Sequence, residues 1–289
     1  METAVQTCYR HPDQPAGVIC QRCDRPICPR CMHQASVGFH CPDCARSGRQ
    51  QVRIGAAAFH VGFKPILTYI LIGLNVLVFL VGVVIDGAGS ILGEMGRMQI
   101  DFGLIAGFDS QKFQVVGVAQ GEWYRIISSG FLHYGLFHIA VNMYALYILG
   151  MVLEAGVGRL RMGMVYAVSL IAGSLGALIV SPNDLTVGAS GAIFGLMGGL
   201  MMAMRAQGVS LRDSPLLPTL ALNLGLTLFF SRYISVGGHV GGFIGGLVAG
   251  WVLFDVGRRP GLARWVPLAV SGALAVGCFV GAMLVAGAQ

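Results

Sequence analysis

The chain has 289 residues, of which 55% are hydrophobic and only 11% are charged, and its formal net charge is +6. Its mean hydropathy is +0.72. Soluble domains carry charged side chains at about a quarter of their positions, so this composition excludes an ordinary soluble protein. Most of the chain is expected to lie in a lipid bilayer. The basic residues fall mainly between apolar runs, which membrane topology explains without a nucleic-acid partner.

The N-terminal segment, residues 1–45, is predicted to be a zinc-binding module because it holds seven of the eight cysteines. Potential ligands occur as four pairs with two residues between the members, which supplies eight ligands for about two tetrahedral Zn²⁺ ions. A segment this short has too little apolar material to fold without such staples. Protein ligands would occupy all four coordination positions of each ion, so the zinc is expected to be structural. The pairs are Cys8 and His11, Cys20 and Cys23, Cys28 and Cys31, and Cys41 and Cys44.

Disulfide bonds are the alternative for these cysteines, and His33 and His40 are spare metal ligands. The topology expected from the basic residues places the module in the reducing cytoplasm, where disulfides are rare, and therefore favours zinc. The order of the pairs resembles that of B-box and RING-like modules. This resemblance implies that the first and third pairs share one ion and that the second and fourth share the other. Because neither ion has an open coordination position, a structural role or binding of a cytoplasmic protein partner is expected.

After a polar linker over 46–64, the sequence consists of long apolar runs and predicts an all-α polytopic membrane protein. The runs approach or reach the length needed to cross about 30 Å of hydrocarbon. The mixed, amphipathic stretch 86–130 is expected to be a structured loop at the membrane surface. The predicted spans are 65–85, 131–153, 162–180, 190–204, 215–231, 238–254 and 265–287.

Topology follows from the basic residues, because Lys and Arg are retained on the cytoplasmic side. If the N-terminus lies inside, most of the basic residues near the spans are cytoplasmic. The basic residues that then lie outside are Arg97, Lys112, Arg125 and Arg232. We therefore expect an integral protein of the cell membrane with a cytoplasmic N-terminus and, after seven spans, an external C-terminus. The polar, cysteine-rich start of the chain does not have the pattern of a secretory signal peptide.

Four polar residues in the apolar runs are candidate functional residues, because polar groups are costly in hydrocarbon. They are His138 and Asn142 in the second run, Ser190 at the start of the fourth and His239 at the start of the sixth. Each has an ordinary alternative: a serine among glycines can pack helices, and a single histidine can be a hydrogen-bonded core residue.

The depth of these four residues favours function. At 1.5 Å per residue from the inner ends of their runs, Ser190 lies about 22 Å above the inner face, His239 and His138 about 24 Å, and Asn142 about 18 Å. All four fall in one layer, about 6–12 Å below the outer surface. A helix that begins there must line protein or a wet cavity, because its first N–H groups have no partner in lipid, and hydrolysis would need the cavity. Those N–H groups could hold an oxyanion beside Ser190.

Glycines at every fourth position predict that the helices of Ser190 and His239 pack closely. They are Gly191, Gly195 and Gly199 in one run, and Gly238, Gly242, Gly246 and Gly250 in the other. Close packing could bring a serine hydroxyl to an imidazole, which is the minimal unit for activating a serine. Phe194, one turn after Ser190, is expected to pack on His239.

These residues resemble motifs of the rhomboid family over residues 65–255, the six-helix core, to which 256–289 adds a seventh helix. The motifs are Gly188-Ala189-Ser190-Gly191, His133 followed by His138-x3-Asn142, Gly238-His239-x2-Gly242-x3-Gly246, Glu122-Trp123-Tyr124-Arg125, and Glu154 with Gly158 and Arg161. The chain has Gly238 where many members have alanine.

The resemblance implies a serine endopeptidase that cleaves transmembrane segments of other membrane proteins near their outer ends, with no cofactor for catalysis. Ser190 would be the nucleophile and His239 the general base and acid. The oxyanion would be held by the Ser190 N–H with His138 and Asn142. His133 would help to position water, and the site would open to the outer face, with access at the fifth span and 231–237.

Two other functions remain open at this point. A catalytically inactive rhomboid-like protein would bind membrane clients, but that class typically lacks the serine or the histidine, and both are present in this sequence. A transporter or channel also uses broken helices near the middle of the membrane. It predicts charged residues within the spans, which this sequence nearly lacks.

Overall fold

The computed structural model describes residues 6–35, 38–47, 64–110, 114–212 and 214–289. The chain divides into two compact units, Met1–Ala58 and Phe59–Gln289. Most of the predicted linker 46–64 lies outside the described residues, as does Lys112.

The described residues of the first unit form three antiparallel pairs of short strands, one 3-10 turn (Pro29–Cys31) and one short α-helix. Its core is made of cysteine: among the described residues, the buried hydrophobic side chains are Ile27 and five cysteines. Strands of two to five residues cannot bury a sheet core, so the cysteine side chains hold this unit together. The elements are β1 (Thr7–Cys8), β2 (His11–Pro15), β3 (Val18–Ile19), β4 (Pro26–Ile27), β5 (His33–Gln34), β6 (Phe39–His40) and α1 (Pro42–Ser47).

The second unit is helical, which confirms the predicted fold class. Each predicted apolar run falls on a helix, and five helices of the described chain are long and apolar enough to cross a membrane. The helix of the sixth run, Val236–Gly250, continues as a π-helical segment, Trp251–Asp255. The helices that correspond to the seven predicted runs are α2 (Ile66–Asp86), α6 (Gly135–Val157), α7 (Arg159–Val180), α8 (Ser190–Ala206), α9 (Leu216–Phe229), α10 (Val236–Gly250) and α11 (Val266–Gly287).

The helix of the second run begins later than the sequence predicted. Residues 131–134 belong to a 3-10 turn and an extended segment, and α6 starts at Gly135, where φ is +72°. That left-handed conformation suits glycine alone without strain. The helix continues to Val157 and stops at Gly158, whose φ is +84°.

The stretch 86–130 contains short elements and is held by a buried arginine. Arg125, 1% exposed, donates to the carbonyl oxygens of Ile100 at 2.7 Å and Gly103 at 2.8 Å and pairs with Glu122 at 2.7 Å. A buried guanidinium with these partners joins the segment around Arg125 to the segment 100–103 and so stabilises the loop. The elements are α3 (Gly89–Leu92), α4 (Arg97–Phe102), β7 (Phe108–Ser110), β8 (Gln114–Val116) and α5 (Arg125–Ser128).

Helices α7, α8 and α10 pack through glycine. A Cβ placed on Gly242 of α10 would overlap the backbone of Gly191 in α8, and one on Gly176 of α7 would overlap the backbone of Gly237. Backbones approach this closely only where side chains are absent. The contact between α8 and α10 positions the candidate site.

A buried carboxylate joins α6 to the start of α2. Glu154, fully buried, accepts hydrogen bonds from the backbone N–H groups of Leu67 at 3.0 Å and Thr68 at 2.8 Å, and from the Thr68 hydroxyl at 2.7 Å. These N–H groups belong to the first turn of α2, and the N–H groups of a first turn have no acceptor within their own helix. Glu154 therefore caps a neighbouring helix.

Candidate active site

Ser190 is the first residue of α8, at the end of a sharp turn. Gly188 has φ of +131°, a conformation that a side chain would strain, and its N–H donates to Ser129 O at 2.9 Å. The first helical bond of α8 runs from Ile193 N to Ala189 O at 3.0 Å. The N–H groups of Ser190, Gly191 and Ala192 thus belong to the unsatisfied first turn, where a negative charge is favoured.

His239 lies in the first turn of α10 and is 7% exposed. The Phe194 ring stacks on its imidazole with the ring centroids 4.1 Å apart and the planes 20° apart. This is the contact expected from the position of Phe194 one turn after Ser190. The stacking fixes the plane of the imidazole.

A residue that the sequence analysis missed contacts the same imidazole. Thr227 of α9 lies with its Oγ1 2.7 Å from His239 Nδ1 and 2.7 Å from the carbonyl oxygen of Asn223. Thr219, Asn223 and Thr227 recur every fourth residue along α9, and this polar stripe was the available signal.

Ser190 and His239 lie on contacting helices without a direct bond between their side chains. A Cβ on Gly191 would lie 3.1 Å from the Gly238 carbonyl oxygen, which shows how close the two backbones are beside both residues. The His239 imidazole is hydrogen-bonded to Thr227. Among the described residues, no hydrogen bond joins the imidazole to the Ser190 hydroxyl. Because Nδ1 is engaged, Nε2 is the ring nitrogen left for Ser190.

His138 presents its Nε2 to the space beside Ser190. The Tyr134 N–H donates to His138 Nδ1 at 3.2 Å, so the neutral ring carries its proton on Nε2. A Cβ on Gly188 would lie 3.1 Å from His138 Nε2 and 3.6 Å from Ser190 Oγ. The missing side chain at position 188 therefore leaves space bordered by both atoms.

Asn142 and His133 support His138 from its own helix and from the preceding segment. The Asn142 side-chain amide donates to the His138 carbonyl at 3.0 Å and is 6% exposed. The His133 ring meets His138 edge-on, with centroids 5.1 Å apart. Both of its nitrogens are buried without a hydrogen-bond partner among the described residues, in a small cavity lined by Ser90 and Gln99. That His133 positions water stays a prediction.

The first unit brings its ligand pairs together as two clusters, each with its ligand atoms within 4.8 Å of one another. His11 Nδ1 lies 3.9 Å from Cys8 Sγ, 3.5 Å from Cys28 Sγ and 3.3 Å from Cys31 Sγ. Ligands of a tetrahedral ion at 2.0–2.3 Å lie about 3.3–3.8 Å apart, so the donor atoms fit zinc. His33 and His40 lie outside both clusters and pair across β5 and β6. The clusters are Cys8, His11, Cys28 and Cys31, and Cys20, Cys23, Cys41 and Cys44.

Backbone donors favour a thiolate at Cys20. Burial alone would raise the pKa of the Cys20 thiol, but backbone N–H groups, including that of Cys41 at 3.2 Å, lower this pKa to about 6. A thiolate at neutral pH is the form that binds a metal.

Comparison with known proteins agrees with this geometry. Residues 120–256 match the family described as the Rhomboid domain. The chain is 34% identical over 193 residues, 66% of its length, to the rhomboid protease GluP of Bacillus subtilis, of which the match covers 35%. It is 36% identical over 127 residues, 43% of its length, to YdcA of the same species, of which the match covers 64%.

One similar protein is named as inactive. The chain is 34% identical over 125 residues to the Inactive RHOMBOID-like protein 8 of Arabidopsis thaliana, a match that covers 40% of this chain and 35% of that relative. The chain thus spans less than two thirds of the length of GluP, of YdcA and of this plant protein.

Proposed function

Because the chain carries a rhomboid domain over residues 120–256, we propose that this integral membrane protein is a serine endopeptidase acting within the bilayer. Its substrates are the transmembrane segments of other membrane proteins. One observation carries the proposal: hydrogen bonds at Nδ1 hold the two histidines beside Ser190 as opposite neutral tautomers. His138 receives an N–H at Nδ1 and offers a proton from Nε2, whereas His239 is bound at Nδ1 and leaves Nε2 for the serine.

The reaction follows from these two states. Ser190 Oγ attacks the carbonyl carbon of the substrate while its proton passes to His239 Nε2. The C–N bond of the tetrahedral intermediate then breaks, and the leaving amine takes that proton from Nε2. Water repeats the sequence on the acyl-enzyme, giving the acid and restoring the serine. The closing of the Ser190–His239 contact in the substrate complex is part of this proposal.

Three donors are proposed to stabilise the negative oxygen of the intermediate. The Ser190 N–H lies in the open first turn of α8, and His138 Nε2–H borders the same space. The Asn142 amide is the third proposed donor. Each preorganised donor of this kind is worth about 3 kcal/mol of transition-state stabilisation.

The lengths of the helices support a site beneath the surface of the membrane. Helix α8 has 17 residues and spans about 26 Å at 1.5 Å per residue, less than the 30 Å of the hydrocarbon core. A helix that starts below the surface needs polar partners for its first N–H groups. We propose that these groups face a water-filled cavity that supplies the hydrolytic water.

We place the site toward the outer face of the cell membrane, with the N-terminus in the cytoplasm and the C-terminus outside. Arg159, Arg205 and Arg258 support this orientation, since they lie at the ends of α7, α8 and the α10 continuation that are far from Ser190. Basic residues are retained in the cytoplasm. The module would then be available to a cytoplasmic protein partner.

We also propose that the two clusters of the first unit hold one Zn²⁺ each. Four protein ligands close each ion, so the zinc would stabilise the fold and take no part in hydrolysis. The proposed organisation is a zinc module over 1–45, a linker over 46–64, the protease core over 65–255 and a seventh membrane helix within 256–289.

The test is cleavage of a model single-span substrate by the purified protein in bilayers. We expect the parent to cleave it, Ser190→Ala to be inactive, and Ser181→Ala, which alters a serine in the loop before the site, to retain activity. Circular dichroism checks that the variants fold alike. Equal cleavage by Ser190→Ala and the parent would refute the proposal, as would a folded parent that binds the substrate without cleaving it.

A further inference from the structure

Thr227 occupies an unusual place on α9. It is 2% exposed, whereas the surrounding side chains of Leu226, Leu228 and Phe229 are 44%, 64% and 81% exposed. A buried hydroxyl must satisfy its hydrogen-bonding groups or destabilise the protein. The two partners of Thr227 Oγ1 are therefore informative about its role.

The two bonds of Thr227 have defined directions. The carbonyl oxygen of Asn223 can only accept, so the single proton of the Thr227 hydroxyl is donated there, over 2.7 Å. Toward His239 the same oxygen then acts as the acceptor, and His239 Nδ1 must carry the proton over their 2.7 Å contact. A neutral imidazole with its proton on Nδ1 has a free lone pair on Nε2.

We propose that Thr227 is a positioning residue that holds His239 with its proton on Nδ1 and its Nε2 ready to accept the Ser190 proton. This inference rests on the proposed roles of Ser190 and His239. Stacking on Phe194 fixes the plane of the ring but does not distinguish one nitrogen from the other. The Thr227 bond supplies that distinction and occupies the place that a carboxylate holds in a Ser-His-Asp triad.

Thr227 and His239 lie on different helices. His239 belongs to α10, and its orienting partner belongs to α9. The orientation of the base therefore depends on contact between these two helices. If they separate, the acceptor at Nδ1 is lost and the ring can take the other tautomer, whose Nε2–H cannot accept a proton.

The experiment compares three variants of the full chain in bilayers. Thr227→Val keeps the shape and removes the acceptor, and Thr227→Ser restores it. Thr219→Val is the matched control, because Thr219 makes the same bond within α9, to Pro215 O at 2.7 Å, but is exposed and does not contact His239. The readouts are kcat and KM for a single-span substrate and the rate at which a fluorophosphonate modifies Ser190.

We expect Thr227→Val to lower kcat and the modification rate at least about tenfold, a part of the 10²–10⁴-fold that a general base contributes. KM should change little, because the lost interaction acts on proton transfer. Thr227→Ser should recover most of the rate, and Thr219→Val should match the parent. Histidine ¹⁵N NMR, assigned with His239→Ala, should show protonated Nδ1 in the parent and a mixture of tautomers in Thr227→Val.

The two proposals fail in different ways. A parent that neither cleaves nor reacts at Ser190 contradicts the proposed function itself. If the parent is active, the role of Thr227 is refuted by a Thr227→Val variant with the rates of Thr219→Val. It is also refuted by Thr227→Ser remaining as slow as Thr227→Val, or by a parent spectrum with the His239 proton on Nε2.

Discussion

Replacing Glu154 by alanine should destabilise the membrane unit through the start of α2. The change removes the acceptor of two backbone N–H groups and one hydroxyl at a site that is 0% exposed. Leaving buried donors unsatisfied costs about 1–3 kcal/mol each, and breaking a buried charged network costs about 3–5 kcal/mol in total. For a unit of this size, 3 kcal/mol corresponds to a decrease in Tm of about 6–12 °C.

Thermal unfolding in detergent micelles, followed by far-ultraviolet circular dichroism, measures this effect. Arg159→Ala is the matched control: its guanidinium lies 3.7 Å from Glu154 but is 56% exposed, and such a pair contributes about 0–1 kcal/mol. A Tm for Glu154→Ala within about 2 °C of the parent's, which corresponds to less than about 1 kcal/mol, would refute the capping role of Glu154. An equally low Tm for Arg159→Ala would also refute it.

Three other outcomes are expected. Gly242→Ala forces a Cβ into the Gly191 backbone and should cost about 1–3 kcal/mol of stability. It should also lower cleavage of the single-span substrate, and the thermal-unfolding and cleavage assays measure the two effects. Burial would raise the pKa of Glu122, but the Arg125 guanidinium holds this pKa below its ordinary value, so the pair contributes stability above the unfolded pKa and loses it as pH falls through the folded one. Melting curves at several pH values should therefore show an acid-side loss of Tm that is smaller in Glu122→Gln. Metal analysis should find two zinc ions per chain, and Cys31→Ser should lose one.

Each of these outcomes has its own control. Gly277→Ala, on α11 with open space around the added methyl group, should not lower stability, and an equal loss in both glycine variants would contradict the packing argument. An unchanged acid-side slope in Glu122→Gln would show that another carboxylate is responsible. Because His33 lies outside both clusters, His33→Ala should keep two zinc ions; intact disulfides without metal would overturn the assignment.

The sequence predicted the parts of the fold that depend on local pattern. The apolar runs became helices, and α8 begins at Ser190, as its motif and short run indicated. A start point of this kind is visible in sequence because glycine and serine mark the turn and the apolar residues mark the helix. The ligand spacing likewise identified the eight residues of the two clusters.

Contacts between distant segments could not be predicted in the same way. Glu154 caps α2 through Leu67, 87 positions earlier in the chain, and Thr227 reaches His239 across the loop between two helices. Nothing in a hydropathy pattern specifies such partners, because each depends on how the helices are rotated about their axes. For the same reason the sequence predicted the start of α6 four residues too early. The backbone of Gly135 lies so near that of Gly93 that an added Cβ would be 2.9 Å from Gly93 N, and the hydropathy pattern does not reveal this approach.

The most direct test of the account is to identify the residue that a fluorophosphonate modifies in the purified protein in bilayers. We expect mass spectrometry of the digested protein to find one adduct, on Ser190, and to find none in His239→Ala under the same conditions. Modification of a different serine, or equal modification of Ser190 when His239 is absent, would contradict the claim that this imidazole activates this hydroxyl.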